Sequence, residues 1–186
     1  MSKIRMRTGR LDLRHLTIDD VGKLVELNAD DGVMQYLAWE PPTREQIVHE
    51  VSDLITAAEA NPGHGRFIAE GADGRFVGWF SLTVGAAGPA APELGYRLRR
   101  EAWGRGLATE GSRALIDHAF INLGAESVTA QTMFVNTASR RVMEKSGMRH
   151  AKTFHVHVDD PLPGTEHGEV WYEITRDEWL TASMRR

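Results

Sequence analysis

Alternating apolar and polar positions begin at Leu11 and Leu13, which interleave with Arg10, Asp12 and Arg14 and predict a half-buried first strand. Thr17 then stands as a cap ahead of Val21, Leu24, Val25 and Leu27, whose spacing predicts a helix to about Asn28. A short helix is expected over residues 33–37, before the Pro41-Pro42 break. Thr43 and Gln46 have capping-box spacing, so a longer helix should run to about Ala60 and stop at Asn61-Pro62-Gly63. Residues 66–70 and 76–84 read as strands joined by a hairpin turn at Asp73-Gly74. Residues 85–92, all Gly, Ala or Pro, predict a flexible loop into a strand at 93–98.

Beyond Gly106, a helix should turn Leu107, Ala108, Gly111, Leu115 and Ala119 towards a sheet. Residues 127–132 read as a buried strand and 137–146 as a helix stopped at Gly147. Phe154, Val156 and Val158 alternate with Thr153, His155 and His157, and Val170, Tyr172 and Ile174 alternate with Glu169, Trp171 and Glu173. These two runs predict a closing antiparallel hairpin with a long turn at 159–168. Thr175 and Glu178 repeat the capping-box spacing and predict a short last helix. With no internal repeat or linker, residues 1–186 read as one domain of mixed α/β (α+β) order.

Composition narrows the field. A chain of 186 residues, 41% hydrophobic and 26% charged, is long enough to bury a core. The absence of cysteine excludes disulfides, thiolate metal sites and a cysteine nucleophile. No apolar run is long enough to cross a bilayer, and the first residues lack the apolar stretch of a signal peptide, so no membrane partner and a cytoplasmic location are expected. A net charge of −4 offers no general attraction to nucleic acid. Basic side chains do bunch at Arg97, Arg99, Arg100 and Arg105, with Arg140 and Arg141 further on, which suits a polyanionic cofactor.

The segment from Glu93 to Glu110 is the most informative, reading as a strand that passes through a glycine turn directly into a helix. Unpaired N–H groups and a partial positive charge at such a helix start suit a phosphate ligand. Gly104 and Gly106 would let a diphosphate approach the main chain. A dinucleotide-binding reading is disfavoured, because Thr109 stands where that fingerprint has its third glycine and no second mononucleotide-binding half follows. His155 and His157 with Asp159 leave a metal reading open but lack a third ligand at suitable spacing. No metal is expected.

Trp103-Gly104-Arg105-Gly106-Leu107-Ala108, continued by Thr109-Glu110, together with Asn136-Thr-Ala-Ser139 and the later Gly147-Met148, resembles the GNAT superfamily of acetyl-CoA-dependent N-acetyltransferases. The RimJ/RimL-like branch looks most similar. Trp103 departs from the Gln or Arg that opens the family's pyrophosphate signature. The resemblance implies a mostly antiparallel central sheet flanked by helices, with a splayed strand near residues 93–99. It implies acetyl-CoA as cosubstrate, a primary amine as acceptor (a protein N-terminus or a small molecule), and dimers as a common state. By the same resemblance, main-chain groups of Arg97, Leu98 and Arg99 would hold the pantetheine arm, with an N–H near Leu98 polarising the thioester. Gly104, Arg105, Gly106, Leu107, Ala108 and Thr109 would hold the diphosphate, and Arg141 the 3′-phosphate.

Other roles stay open. Asn136 would contact pantetheine or simply cap its helix, and Ser139 would hydrogen-bond the departing sulfur or merely pack. The tyrosine that serves as general acid in other branches falls at Met143, which cannot titrate. Glu93 is either the base that deprotonates the amine or a solvated strand-end carboxylate, with His155 and His157 as alternative bases. Tyr36, Trp39 and the Pro41-Pro42 turn are candidates to line an acceptor cleft. Met143 and the lack of an unmistakable base also leave open a non-catalytic acyl-CoA-binding sensor.

Overall fold

The computed structural model describes residues 4–85 and 87–184. Eight strands form one sheet: β1 (Arg5–Arg7), β2 (Leu11–His15), β3 (Gly65–Gly71), β4 (Phe76–Gly85), β5 (Gly88–Leu98), β6 (Ser127–Met133), β7 (Arg149–Phe154) and β8 (Glu169–Thr175). Their spatial order is β1-β2-β3-β4-β5-β6-β8-β7, antiparallel at every junction except β5–β6, which is parallel. Helices α1 (Val21–Asn28), α2 (Asp31–Met34) and α3 (Arg44–Ala60) are inserted between β2 and β3. Helices α4 (Leu107–Asn122), α5 (Thr137–Lys145) and α6 (Arg176–Ser183) follow in the second half. This is the mixed, mostly antiparallel sheet with flanking helices that the sequence led us to expect.

Two apolar clusters sandwich the sheet. Leu16, Val21, Leu24, Leu27, Ile47 and Val51 meet Ile68 and Trp79 on the face covered by α1 and α3. On the other face Phe67, Phe80, Leu82, Leu94 and Leu98 meet Leu107, Leu115, Ile116 and Ala119 of α4 and Met143 of α5. Gly111 sets how closely α4 approaches: a Cβ there would lie 2.2 Å from the buried Phe80 ring. No helix among the described residues is long and apolar enough to cross a membrane.

Capping chemistry holds the helix starts where it was read. Thr43 N–H donates to Gln46 at 2.7 Å, and Thr175 N–H donates to Glu178 at 2.8 Å. Thr17 pairs with Asp20 in the same way, but a 3₁₀ turn at Ile18–Asp20 precedes α1. The short helix expected at 33–37 is displaced to Asp31–Met34, because the Asp30 carboxylate accepts from Gly32 and Val33 N–H and starts it earlier.

Three further expectations are corrected. A strand, β1, precedes the predicted first one; it carries a single apolar residue, and Arg5 holds it to Asp12 at 2.5 Å. The 85–92 loop is mostly strand, since β5 begins at Gly88 despite Pro89 and Pro92, and Ala90 carbonyl accepts from Glu126 N–H at 2.7 Å. The closing hairpin exists, but β7 ends at Phe154, where the alternating run begins. Val156 and Val158 are accordingly 54% and 46% exposed, and His155 and His157 share no strand face.

Gly111→Ala should lower the melting temperature despite alanine's better helix propensity, because overpacking against Phe80 costs about 1–3 kcal/mol. Thermal denaturation followed by circular dichroism measures it, and an unchanged or higher midpoint would show that α4 can move away.

Candidate active site

Chain direction and glycine geometry build the first part of the site. After β5 a 3₁₀ turn at Arg100–Ala102 leads through Trp103 to α4. Gly104 and Gly106 have φ of +70° and +77°, a region that L side chains rarely adopt. Gly106 caps α4 with no side-chain hydrogen bond, and the helix ladder begins with Glu110 N–H to Gly106 carbonyl at 3.0 Å. The N–H groups of Gly106, Leu107, Ala108 and Thr109 therefore have no acceptor within the helix.

The turn is braced from outside through its carbonyl and a carboxylate, which leaves those donors alone. Arg10 donates to the Arg105 carbonyl at 2.8 Å and pairs with Glu110 at 2.6 Å. Burial pushes the Glu110 carboxyl up, but hydrogen bonds from Thr8 and Arg10 outweigh it and hold the group below its usual range. A donor-rich, glycine-lined helix start of this kind fits a diphosphate.

The second part is a gap in the sheet. β5 and β6 are joined by one bridging pair, Glu93 with Thr129, and diverge beyond it. Arg99 N–H donates to Val77 carbonyl at 2.9 Å, so the odd-numbered residues of this stretch turn their amides towards β4. By alternation Tyr96 and Leu98 turn theirs to the gap. The Trp103 indole N–H donates to Leu98 carbonyl at 2.9 Å, which leaves the Leu98 N–H as a gap-facing donor. Trp103, the departure from the family signature, thus has a main-chain role. Arg99 does not take the place expected of it: its N–H serves Val77, its carbonyl accepts from Ala102, and its side chain lies towards Glu26 and Glu101. Strand parity is the reason.

Across the gap, α5 supplies Ser139. Tyr96 hydroxyl lies 2.9 Å from Ser139 Oγ and 3.0 Å from its carbonyl oxygen. Burial raises the Tyr96 phenol, with Ser139 partly opposing, so the hydroxyl stays protonated and able to donate at neutral pH. Asn136 caps α5 by accepting from Ser139 N–H at 3.1 Å, and its amide donates to Thr132 of β6 at 3.1 Å. One amide hydrogen of Asn136 remains for another acceptor. Met143 is buried one turn further on. Nothing in the sequence around Tyr96 marks it as a site residue; its pairing with Ser139, 43 residues away, does.

Glu93 sits at the apex of the gap and points to the opposite face, since its neighbour Leu94 enters the α4 core. Burial alone raises its carboxyl above the usual range. Leu37, Trp39, Val156 and Val158 are exposed apolar side chains, and Trp39 Nε1 donates to Asp160 carbonyl at 3.3 Å. Tyr36 and Pro42 are half-buried beside it in sequence.

The basic residues do not act as one cluster. Arg97 donates to Asn28, Arg100 to Asp30, and Arg140 to Phe134 carbonyl and the Tyr172 hydroxyl, whereas Arg105 and Arg141 stand exposed. His157 pairs with Asp159 at 3.4 Å, both exposed. Among the described residues no group of three or more His, Asp or Glu side chains could hold a metal ion.

Comparison with known proteins fits this geometry. The family model described as Acetyltransferase (GNAT) domain matches residues 10–149. A protein of Aspergillus fumigatus named FsC-acetyl coenzyme A-N(2)-transacetylase is 37% identical over 183 residues, covering 94% of this chain and 77% of that protein. The fold is shared with a structure of RimL, a ribosomal L7/L12 alpha-N-protein acetyltransferase in complex with coenzyme A (TM-score 0.79, 18% identity, 94% of this chain and 99% of that one). It is shared also with spermidine N-acetyltransferase from Vibrio cholerae in complex with CoA and spermine (TM-score 0.76, 19% identity, 93% and 99%). A glycine-lined helix start, a sheet split beside it and a family match over most of the chain lead to one assignment: the protein belongs to the GNAT acetyltransferase family and is an acetyl-CoA-dependent N-acetyltransferase.

Proposed function

We propose that the chain, as a single catalytic domain, acetylates a primary amine by direct attack in a ternary complex, with Glu93 as base and Ser139 at the leaving group. The observation that carries this reading is the gap itself, with main-chain donors on its α4 side and a half-buried carboxylate without a charged neighbour at its apex. Acetyl-CoA supplies an acyl group activated by its bond to sulfur. The amides of residues 106–109 hold the diphosphate, assisted at the exposed rim by Arg105 and Arg141, and Asn136 holds the arm beside α5. The Leu98 N–H donates to the thioester oxygen, a contribution typical of a single positioned donor at about 3–4 kcal/mol.

Glu93 takes the proton from the incoming ammonium, directly or through water, so that a nitrogen lone pair is available. Carbon–nitrogen bond formation then accompanies carbon–sulfur cleavage; the second proton shed by the nitrogen goes to the departing thiolate, giving CoA-SH, and the proton held at Glu93 returns to solvent. Tyr96 holds the Ser139 hydroxyl in place, leaving its hydrogen to meet the departing sulfur. The name of the Aspergillus relative, an acetyl coenzyme A-N(2)-transacetylase, supports transfer to a nitrogen acceptor. No observation favours a non-catalytic acyl-CoA sensor.

Gly106→Asp tests the cofactor assignment. A carboxylate and a Cβ at this turn should abolish CoA binding by calorimetry with the circular dichroism spectrum unchanged, and retained affinity would refute the assignment. For Glu93, activity should fall as pH drops through a limb lying above the ordinary carboxylate range of about 4.3, because the base must be ionised and burial raises it. Glu93→Gln should remove that limb and lower kcat/KM by about 10²–10⁴; a variant keeping the wild-type profile would exclude Glu93. Tyr96→Phe should lower turnover about tenfold, a hydrogen bond's worth of about 1.4 kcal/mol, and should add little to Ser139→Ala in a double-mutant cycle. Strict additivity would separate the two residues.

A further inference from the structure

On the acceptor face of the sheet two neighbouring guanidinium groups share one carboxylate. Arg66 of β3 and Arg97 of β5 both lie against the Trp79 indole of β4, with Cζ 4.1 and 5.3 Å from the ring centroid. Arg97 is largely buried, and the hydrogen-bond partners it has are neutral: Asn28 Oδ1, and Met34 Sδ at 3.6 Å. Arg66 is only 12% exposed; its Nη1 meets Glu50, itself 44% exposed, at 2.7 Å. Its Nε is buried with no partner. Desolvation, and then the nearby Arg66, bring the Arg97 guanidinium down to about 10.

The balance of magnitudes points to a missing group. Withdrawing a cation from water costs more than an indole face returns. Two guanidinium groups against one carboxylate leave a net single positive charge, and one carboxylate would neutralise it with the paired geometry that guanidinium favours. Position agrees with charge. Glu93, Gly95 and Arg97 occupy alternate places of β5 and share one face, and two Trp79 ring carbons lie 3.5 and 4.0 Å from where a Gly95 side chain would begin. A proton acceptor, an indole and a pair of guanidinium groups thus succeed one another along about 13 Å of strand, four residues at the usual rise.

We propose that the acceptor is an amine that also bears a carboxylate, its anion seated at Arg97 and Arg66 beside Trp79 and its amine presented at Glu93. This inference rests on the acceptor site proposed above, and it adds the chemical class of the substrate.

Straight-chain ω-amino acids from 4-aminobutanoate to 7-aminoheptanoate, each paired with its terminal amide, are the probes. Calorimetry on the CoA-loaded protein reads binding, and CoA release from acetyl-CoA reads transfer. At the fitting length the acid should bind at least about tenfold more tightly than its amide, as expected for hydrogen bonds to a charged group. Arg97→Gln should erase the difference and Arg97→Lys restore part of it. Equal affinities at every length, or no binding of any acid, overturn the inference, and this comparison needs only the wild-type protein, so it holds even if a variant misfolds. Preferential, Arg97-dependent binding of acids without CoA release from any amine would keep the anion site and overturn the transfer reading instead.

Discussion

The parting of β5 from β6 after a single bridging pair governs the rest of this molecule. A sheet interior must pair its main-chain groups, and unpaired ones are costly away from water. Here part of what is left over at the split is taken up within the fold, and the Leu98 N–H is left facing the gap. Trp103 takes the Leu98 carbonyl, and the Tyr96–Ser139 contact ties α5 to β5 where a strand ladder would otherwise run. What remains is a break in the strand ladder whose two faces are furnished differently. Tyr96, Ser139 and the α4 turn lie on one side, with Glu93, Trp79 and Arg97 on the other.

Elements specified by short-range chemistry were legible from the residues alone. The Thr43/Gln46 and Thr175/Glu178 pairs mark helix starts because each motif is complete within four residues. The turn at Gly104–Gly106 was legible for the same reason. The misplaced elements depend on distant partners. Residues 154–158 alternate as a strand should, yet β8 pairs only as far as Phe154, and the remainder has nothing to alternate against. β5 starts early because Glu126 and β4 meet it, a fact that its Gly, Ala and Pro content conceals.

At the site the division is similar. The diphosphate turn was visible because its geometry is carried by glycines. Tyr96, Trp103 and the two arginines on Trp79 were not, since each acquires its meaning from strand parity or from a residue far along the chain. Arg99 shows the converse case: a basic residue beside the motif whose main-chain N–H and carbonyl are both engaged within the fold. The apparent basic bunch dissolves likewise, as Arg97, Arg99, Arg100 and Arg140 go to separate partners.

The cap of α4 has a consequence for the protein's history. Its donors belong to the peptide backbone, with Gly106 offering no side chain and Leu107 directing its own into the core. Recognition written in the main chain is indifferent to most of the letters that spell it. Under the diphosphate role proposed above, the side chain of Thr109 is free to vary without removing the donors, provided the two left-handed glycines persist. A lineage can thus exchange its acceptor by altering the opposite face while its acyl donor stays the same.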